Sequence, residues 1–248
     1  MKKNIGFILF TATLTLLTGC DVVKDAANTV LTSDTQSSSN NALTNDEVIR
    51  GLKDALSIGI NNATGITSKT DGFLKNPEIF IPWPSDALQV KAKAEEWGLS
   101  GQVENVITTL NRAAEEASKE AAPIFLNAIR GMSISDGFAI LKGGDGAATR
   151  FLKERTTTEL KAAFAPKVKE AIDKVQLTSY WNPIATRYNQ TTILTGAQKA
   201  NPDLDDYVLD KSIEGLFLMV EKEENKIRKD PMARVTDILQ KVFGSLGN

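Results

Sequence analysis

LDDYVLDKSIEGLFLMVEKEENKIRK, Leu204–Lys229, is the stretch whose reading decides the fold. At about 100° per residue it is apolar on two sides. Leu204, Tyr207, Val208, Gly215, Leu218 and Met219 share one face. Ile213, Leu216, Phe217, Val220 and Ile227 share the opposite one. No single neighbour covers both faces of such a helix, so it is expected at the centre of a domain. Lys211 interrupts the first face and Glu224 the second. A charge on an apolar face is costly unless paired, which makes these two the first candidates for buried polar or pocket residues.

Outward from this helix the pattern stays helical. Thr44-Asn45-Asp46-Glu47 has capping-box spacing and opens a helix through Val48, Leu52, Ala55, Leu56 and Gly59. That helix is expected to fade into a loop over Asn61–Thr70. Asn76–Pro84, NPEIFIPWP, contains three prolines and is read as an extended strap lying over helices. Ser85 is read as the cap of a helix to Trp97, ended by Gly98. Gly101–Arg130 reads as one long helix, with a Val/Ile/Leu/Ala stripe that implies a close neighbour, the central helix being expected. Pro123 is expected to kink it or to restart it at Ile124.

A short helix from Ser133 or Ser135 leads to the turn KGGDG, Lys142–Gly146, and a helix to about Glu154. Separate helices are expected over Thr156–Phe164 and Pro166–Val175, with Pro166 as a first helical residue. A shorter one runs from Ser179–Pro183 to about Leu194. Asp203 is the expected N-cap of the central helix, and Ala233–Phe243 reads as a last amphipathic helix. The fold expected is all-α: a multi-helix globular bundle around a buried central helix at about 204–229, with one strap at 76–84.

The N-terminus has a different character. Lys2 and Lys3 precede an apolar run, Ile5–Leu17, too short to span a membrane comfortably. It ends Leu17-Thr18-Gly19-Cys20, which resembles a bacterial lipobox and implies cleavage before Cys20 and acylation of that residue. Thr32–Ala42, TSDTQSSSNNA, is too polar to order itself and reads as a tether. As a flexible coil, Cys20–Leu43 reaches about 25–30 Å. The organisation expected is a signal peptide at 1–19, an acylated cysteine and tether at 20–43, and a single helical domain at 44–248. The domain is expected in the periplasm, lipid-anchored through Cys20, with the choice of inner or outer membrane left open.

Composition narrows the chemistry. The chain has no histidine, one cysteine and a net charge of −2. That removes the usual general base, His-dependent triads and cysteine-cluster zinc sites. No basic stripe points to nucleic acid. No cofactor and no metal is expected: di-iron bundles need Glu-x-x-His, and Asn201–Asp206 is too short for a calcium loop. GGDGAAT resembles a phosphate loop only faintly, lacking both its spacing and its lysine.

The remaining candidates are Lys211, Glu224, Glu115, Asn111, Arg112 and Arg130, with Trp83 and Tyr180 as a possible pocket rim. In the structural reading, Lys211 pairs with Glu115, and Glu224 meets Arg112, Arg130 or Arg150. In the alternative these groups line a pocket.

GLKDAL (Gly51–Leu56), NPEIFIPWP, NRAAEEASKEAAPIFLNAIRGM (Asn111–Met132), ILKGGDGAATRFL (Ile140–Leu152), DLDDYVLDKSIEGLF (Asp203–Phe217) and EENKIRKDPMARVTDILQKVFG (Glu223–Gly244) follow one another along the chain. Together they resemble the bacterial envelope lipoproteins grouped as domain of unknown function 4197, over nearly all of Thr44–Gly244. That family usually has IPLP where this chain has Ile81-Pro82-Trp83-Pro84. The resemblance implies an all-helical domain and transfers no catalytic residue. The function expected is a non-catalytic binding or scaffolding module of the envelope, with a membrane contact through Cys20 and an envelope protein as possible partner. The alternatives are a carrier or sensor of a small or lipidic ligand, and a carboxylate/lysine enzyme.

Overall fold

A computed structural model describes residues 44–174, 177–200 and 204–230. Cys20, the tether, Asp203, Ala233–Phe243 and the side chain of Tyr180 lie outside the described residues. By its contacts the chain divides into Met1–Ala42 and Leu43–Asn248, and all the described residues belong to the second unit.

The elements in chain order are α1 (Asn45–Thr67), α2 (Leu88–Glu96), α3 (Ser100–Ala117), α4 (Ala121–Arg130), α5 (Ile134–Lys142), α6 (Ala147–Lys174), α7 (Leu177–Thr195) and α8 (Asp205–Lys229). Short 3-10 turns at Ser85–Ala87 and Ser118–Glu120 lead into α2 and α4. The described residues form no strand. The central helix is α8, packed mainly on α6 and α1 with α3 beside them. It buries Val208, Ile213, Leu216, Phe217, Met219, Val220 and Ile227. Gly215 lets the turn after α1 and the strap approach α8: a Cβ there would stand 2.8 Å from the Phe73 ring and 3.1 Å from Ile79 Cβ.

Several boundaries differ from the sequence expectation, each for a packing reason. α1 continues to Thr67 because Ile60, Ala63, Thr64 and Thr67 prolong its buried face. The Thr64 and Thr67 hydroxyls donate to the helix's own carbonyls, so they can be buried. α6 is one helix with Pro166 inside it. Its buried stripe, Leu152, Thr156, Leu160, Phe164, Val168 and Ile172, runs through the proline without a break. Pro166 itself faces solvent.

α7 likewise starts at Leu177 and contains Pro183, held by buried Trp181, Ile184 and Tyr188. The break between α3 and α4 falls at Ser118–Glu120, one turn ahead of Pro123. Pro123 has no N–H to offer the preceding turn, and the backbone tightens there instead. α3 packs chiefly on α6, with α7 and α8 beside it. Ser85 makes no cap; the 3-10 turn it opens precedes α2. The capping boxes at Thr44/Glu47 and Ser133/Asp136 are both formed.

Candidate functional site

The buried polar side chains of α3 and α8 hold backbone rather than one another. Glu115 is on α3, facing the turn that follows α1. One carboxylate oxygen accepts the N–H groups of Phe73 and Leu74, both at 3.1 Å. The other meets Arg112 at 2.6 Å, and Arg112 reaches Asp71 at 2.7 Å. Asp71 has φ 67, a left-handed conformation that aspartate tolerates better than most residues. Hydrogen bonds from Lys75 and then Arg112 hold its carboxyl below the ordinary aspartate value.

One turn earlier, the Asn111 side chain pairs with both backbone groups of Ile81. Its oxygen accepts the Ile81 N–H at 2.8 Å and its amide donates to the Ile81 carbonyl at 2.9 Å. This is how the strap is fixed to α3. The strap itself opens with a turn at Asn76–Ile79, where the Asn76 carbonyl accepts from Ile79 and Phe80, and only then runs without regular secondary structure over Phe80–Pro82.

Glu224 does the equivalent work for α6. Its oxygens accept from the Ala148 N–H at 2.9 Å, the Thr149 N–H at 2.8 Å and the Thr149 hydroxyl at 2.8 Å. Arg228, one turn along α8, donates to it at 2.9 Å and also to the Ile140 carbonyl at the end of α5. The Gly146 N–H goes to Asn225. The start of α6 is where a helix offers N–H groups to an anion, and here the anion is the chain's own carboxylate. Its neighbour Glu223 accepts from Asn62 on α1 at 2.9 Å.

Two expected pairings are corrected. Lys211 does not meet Glu115; it pairs with Glu214 at 2.6 Å on the surface, its side chain 41% exposed. It belongs to a third, solvent-facing stripe of α8, with Glu214, Leu218 and Lys222. Glu224 meets Arg228 instead of Arg112, Arg130 or Arg150. Arg130 is exposed, and Arg150 closes the preceding turn by donating to the Gly143 and Asp145 carbonyls. Beside them on the surface, Glu116 pairs with Lys119.

Trp83 is buried, no rim residue: its indole N–H donates to the Ala87 carbonyl at 2.8 Å and its ring meets Trp181 edge-on at 5.3 Å. The structure brings Glu115, Asn111 and Arg112 together along one side of α3. Glu224 forms its own cluster on α8, and Lys211 lies outside both. The residues that sequence reasoning missed are Arg228, Asp71 and Asn225. For Arg228 a signal existed, since it stands four residues after Glu224.

Lys211 does line a cleft of about 130 Å³ between the strap and α8, with Ile79, Phe80, Glu214, Gly215 and Leu218. Deeper gaps between α1, α6 and α8 are about 10 Å³ each, room for about one water at most. Among the described residues no group of three or more acids, Cys or His is placed to hold a metal ion, and no single helix is long and apolar enough to cross a membrane.

Fold and site together define an all-helical domain whose buried carboxylates and amide clamp its own turns and helix ends. The chain belongs to the family described as a protein of unknown function (DUF4197), whose profile matches residues 42–244. No curated protein and no solved structure matches it.

Proposed function

We propose that this is a lipid-anchored protein of the bacterial cell envelope whose periplasmic helical domain is a non-catalytic binding or scaffolding module. The anchor rests on the Leu17–Cys20 motif behind the basic and apolar leader. The non-catalytic reading rests on one observation: Glu115 and Glu224 direct their oxygens to backbone N–H groups and neighbouring arginines inside the packed core. A carboxylate held that way is positioned to stabilise a fold. The 10 Å³ gaps between helices favour a protein partner over a ligand stored in the core.

Native mass spectrometry of the full acylated chain, released gently from membranes, tests this. The expected spectrum contains the chain bound to a second protein, with diacyl or triacyl mass on Cys20. A small-molecule adduct lost on denaturation would instead establish a carrier. An unmodified Cys20 would remove the anchor.

A further inference from the structure

α8 is buried on two faces, and its third side opens to solvent between the strap and α6. Along that side Asp210, Glu214, Leu218, Lys222 and Lys226 stand at four-residue intervals, all of them exposed. Rows at that spacing are the ridges by which helices pack. The ridge reads acid, acid, leucine, lysine, lysine, so its charge reverses about Leu218. The helix dipole favours a lysine in the last turn, which accounts for Lys226. Its influence does not reach Asp210, Glu214 or Lys222.

The ridge is free to change partners. Asp210 meets Lys161 of α6 at 2.8 Å, Glu214 meets Lys211 at 2.6 Å, and Lys222 meets Glu78 of the strap. The side chains of all three pairs are at least 41% exposed, and exposed pairs of this kind hold weakly. Neighbouring Glu221 turns aside: its carboxylate lies 3.1 Å from where a Cβ on Gly146 would stand, at the turn before α6. The middle of the ridge is apolar. Leu218 is 41% exposed, and Phe80 of the strap is 37% exposed. Both line the cleft of about 130 Å³ whose floor is Ile79 and Gly215, which leaves room for an apolar side chain from outside.

A two-fold axis near Leu218 sets a second α8 antiparallel to the first, and the ridge then complements itself. Glu214 faces the partner's Lys222 and Asp210 faces the partner's Lys226, each twice by symmetry. With the helices parallel, acid would face acid. Self-complementarity of this kind is what an isologous contact requires. We infer that this surface takes a second copy of the same chain, forming an antiparallel dimer through the Asp210–Lys226 ridge of α8. The inference names a partner for the binding-module reading and rests on that reading for its role. The apolar part is small, which places the contact among low-area, transient ones. Copies anchored in one bilayer raise each other's effective concentration.

The chain from residue 20, with Cys20→Ser, keeps the whole core of the unit that begins at Leu43. Sedimentation velocity up to about 1 mM should show a monomer–dimer equilibrium that weakens with salt. Glu214→Lys sets lysine against the partner's Lys222 and should weaken association at least about tenfold; Lys222→Glu should do the same. Mixing the two variants should restore it, since one ridge then carries lysine at both positions and the other glutamate. In the same background, Leu218→Cys should give a disulfide-linked dimer on mild oxidation, because residues at the axis come within the roughly 7 Å that a disulfide allows. Lys226→Cys, about 24 Å from its symmetry mate, should stay unlinked. A chain that is monomeric over the whole range overturns the inference. So does dimerisation that the charge reversals leave unchanged, or that mixing the variants does not restore. If the chain stays monomeric while a different protein accompanies it from native envelopes, the dimer fails and the binding-module reading stands.

Discussion

Glu224 fills the position at which the α6 N-terminus would otherwise bind an external anion. The sequence GGDGAAT looks faintly like a phosphate loop because it has the glycines and the helix start. What the sequence does not display is that the N–H groups are already taken, by Glu224 and Asn225. Glu224→Ala should remove the carboxylate from Arg228 and orphan two buried backbone N–H groups and the Thr149 hydroxyl, costing about 3–5 kcal/mol in urea unfolding. Glu224→Gln keeps an acceptor and should cost about 1–3 kcal/mol. A loss below about 0.5 kcal/mol for the alanine variant would mean that the cluster contributes nothing to the fold.

Asp71 gives a pH-dependent counterpart. Its carboxyl is held below the ordinary value by Lys75 and then Arg112. A depressed acid stabilises above its unfolded-state value, about 3.9, and that contribution disappears as pH falls through the lower folded value. Asp71→Asn, which keeps a residue tolerant of φ 67, should therefore lower the unfolding midpoint at pH 7. The gap to the native chain should close under strongly acidic conditions. A gap that persists at pH 2 would assign the effect to geometry instead of charge.

At this scale the sequence was readable in part. Periodicity found Glu224 in a core, but it also placed Lys211 on an apolar face, where α8 in fact has a solvent stripe. Partners were harder still. Glu115 and Asn111 bind backbone groups, and every residue has those, so no side-chain pattern marks them.

Among the elements, α6 shows how packing overrides local preference. A proline within a helix costs a hydrogen bond and about 3 kcal/mol relative to alanine. The sequence therefore suggests two helices meeting at Pro166. The buried residues four apart from Leu152 to Ile172 give a single continuous face against α8, α3 and α4, and that burial dominates. The same competition extends α1 past Asn61 and carries α7 through Pro183. Element type was legible along the described chain because long periodic segments announce themselves. Ends were not, because they depend on which neighbour covers the last turn.

Pro166→Ala distinguishes the two arrangements. Inside a continuous helix it restores a donor at an exposed position and should stabilise the domain by about 1 kcal/mol or more, read from urea unfolding. At a first helical position it would be neutral or destabilising.

For the whole molecule, the proposed anchor makes a prediction separable from the fold. It follows from the leader and the lipobox-like tetrapeptide ending at Cys20. Several acyl chains hold a protein to a bilayer through repeated washing, whereas one chain gives only reversible binding. The Cys20→Ala chain, placed behind a leader that is cleaved ahead of residue 20, should fold as the native chain does, since the unit from Leu43 onward has its own core. In fractionated envelopes it should appear in the soluble fraction after a high-salt wash, with the native chain retained. Retention of Cys20→Ala through high salt would contradict the lipid anchor.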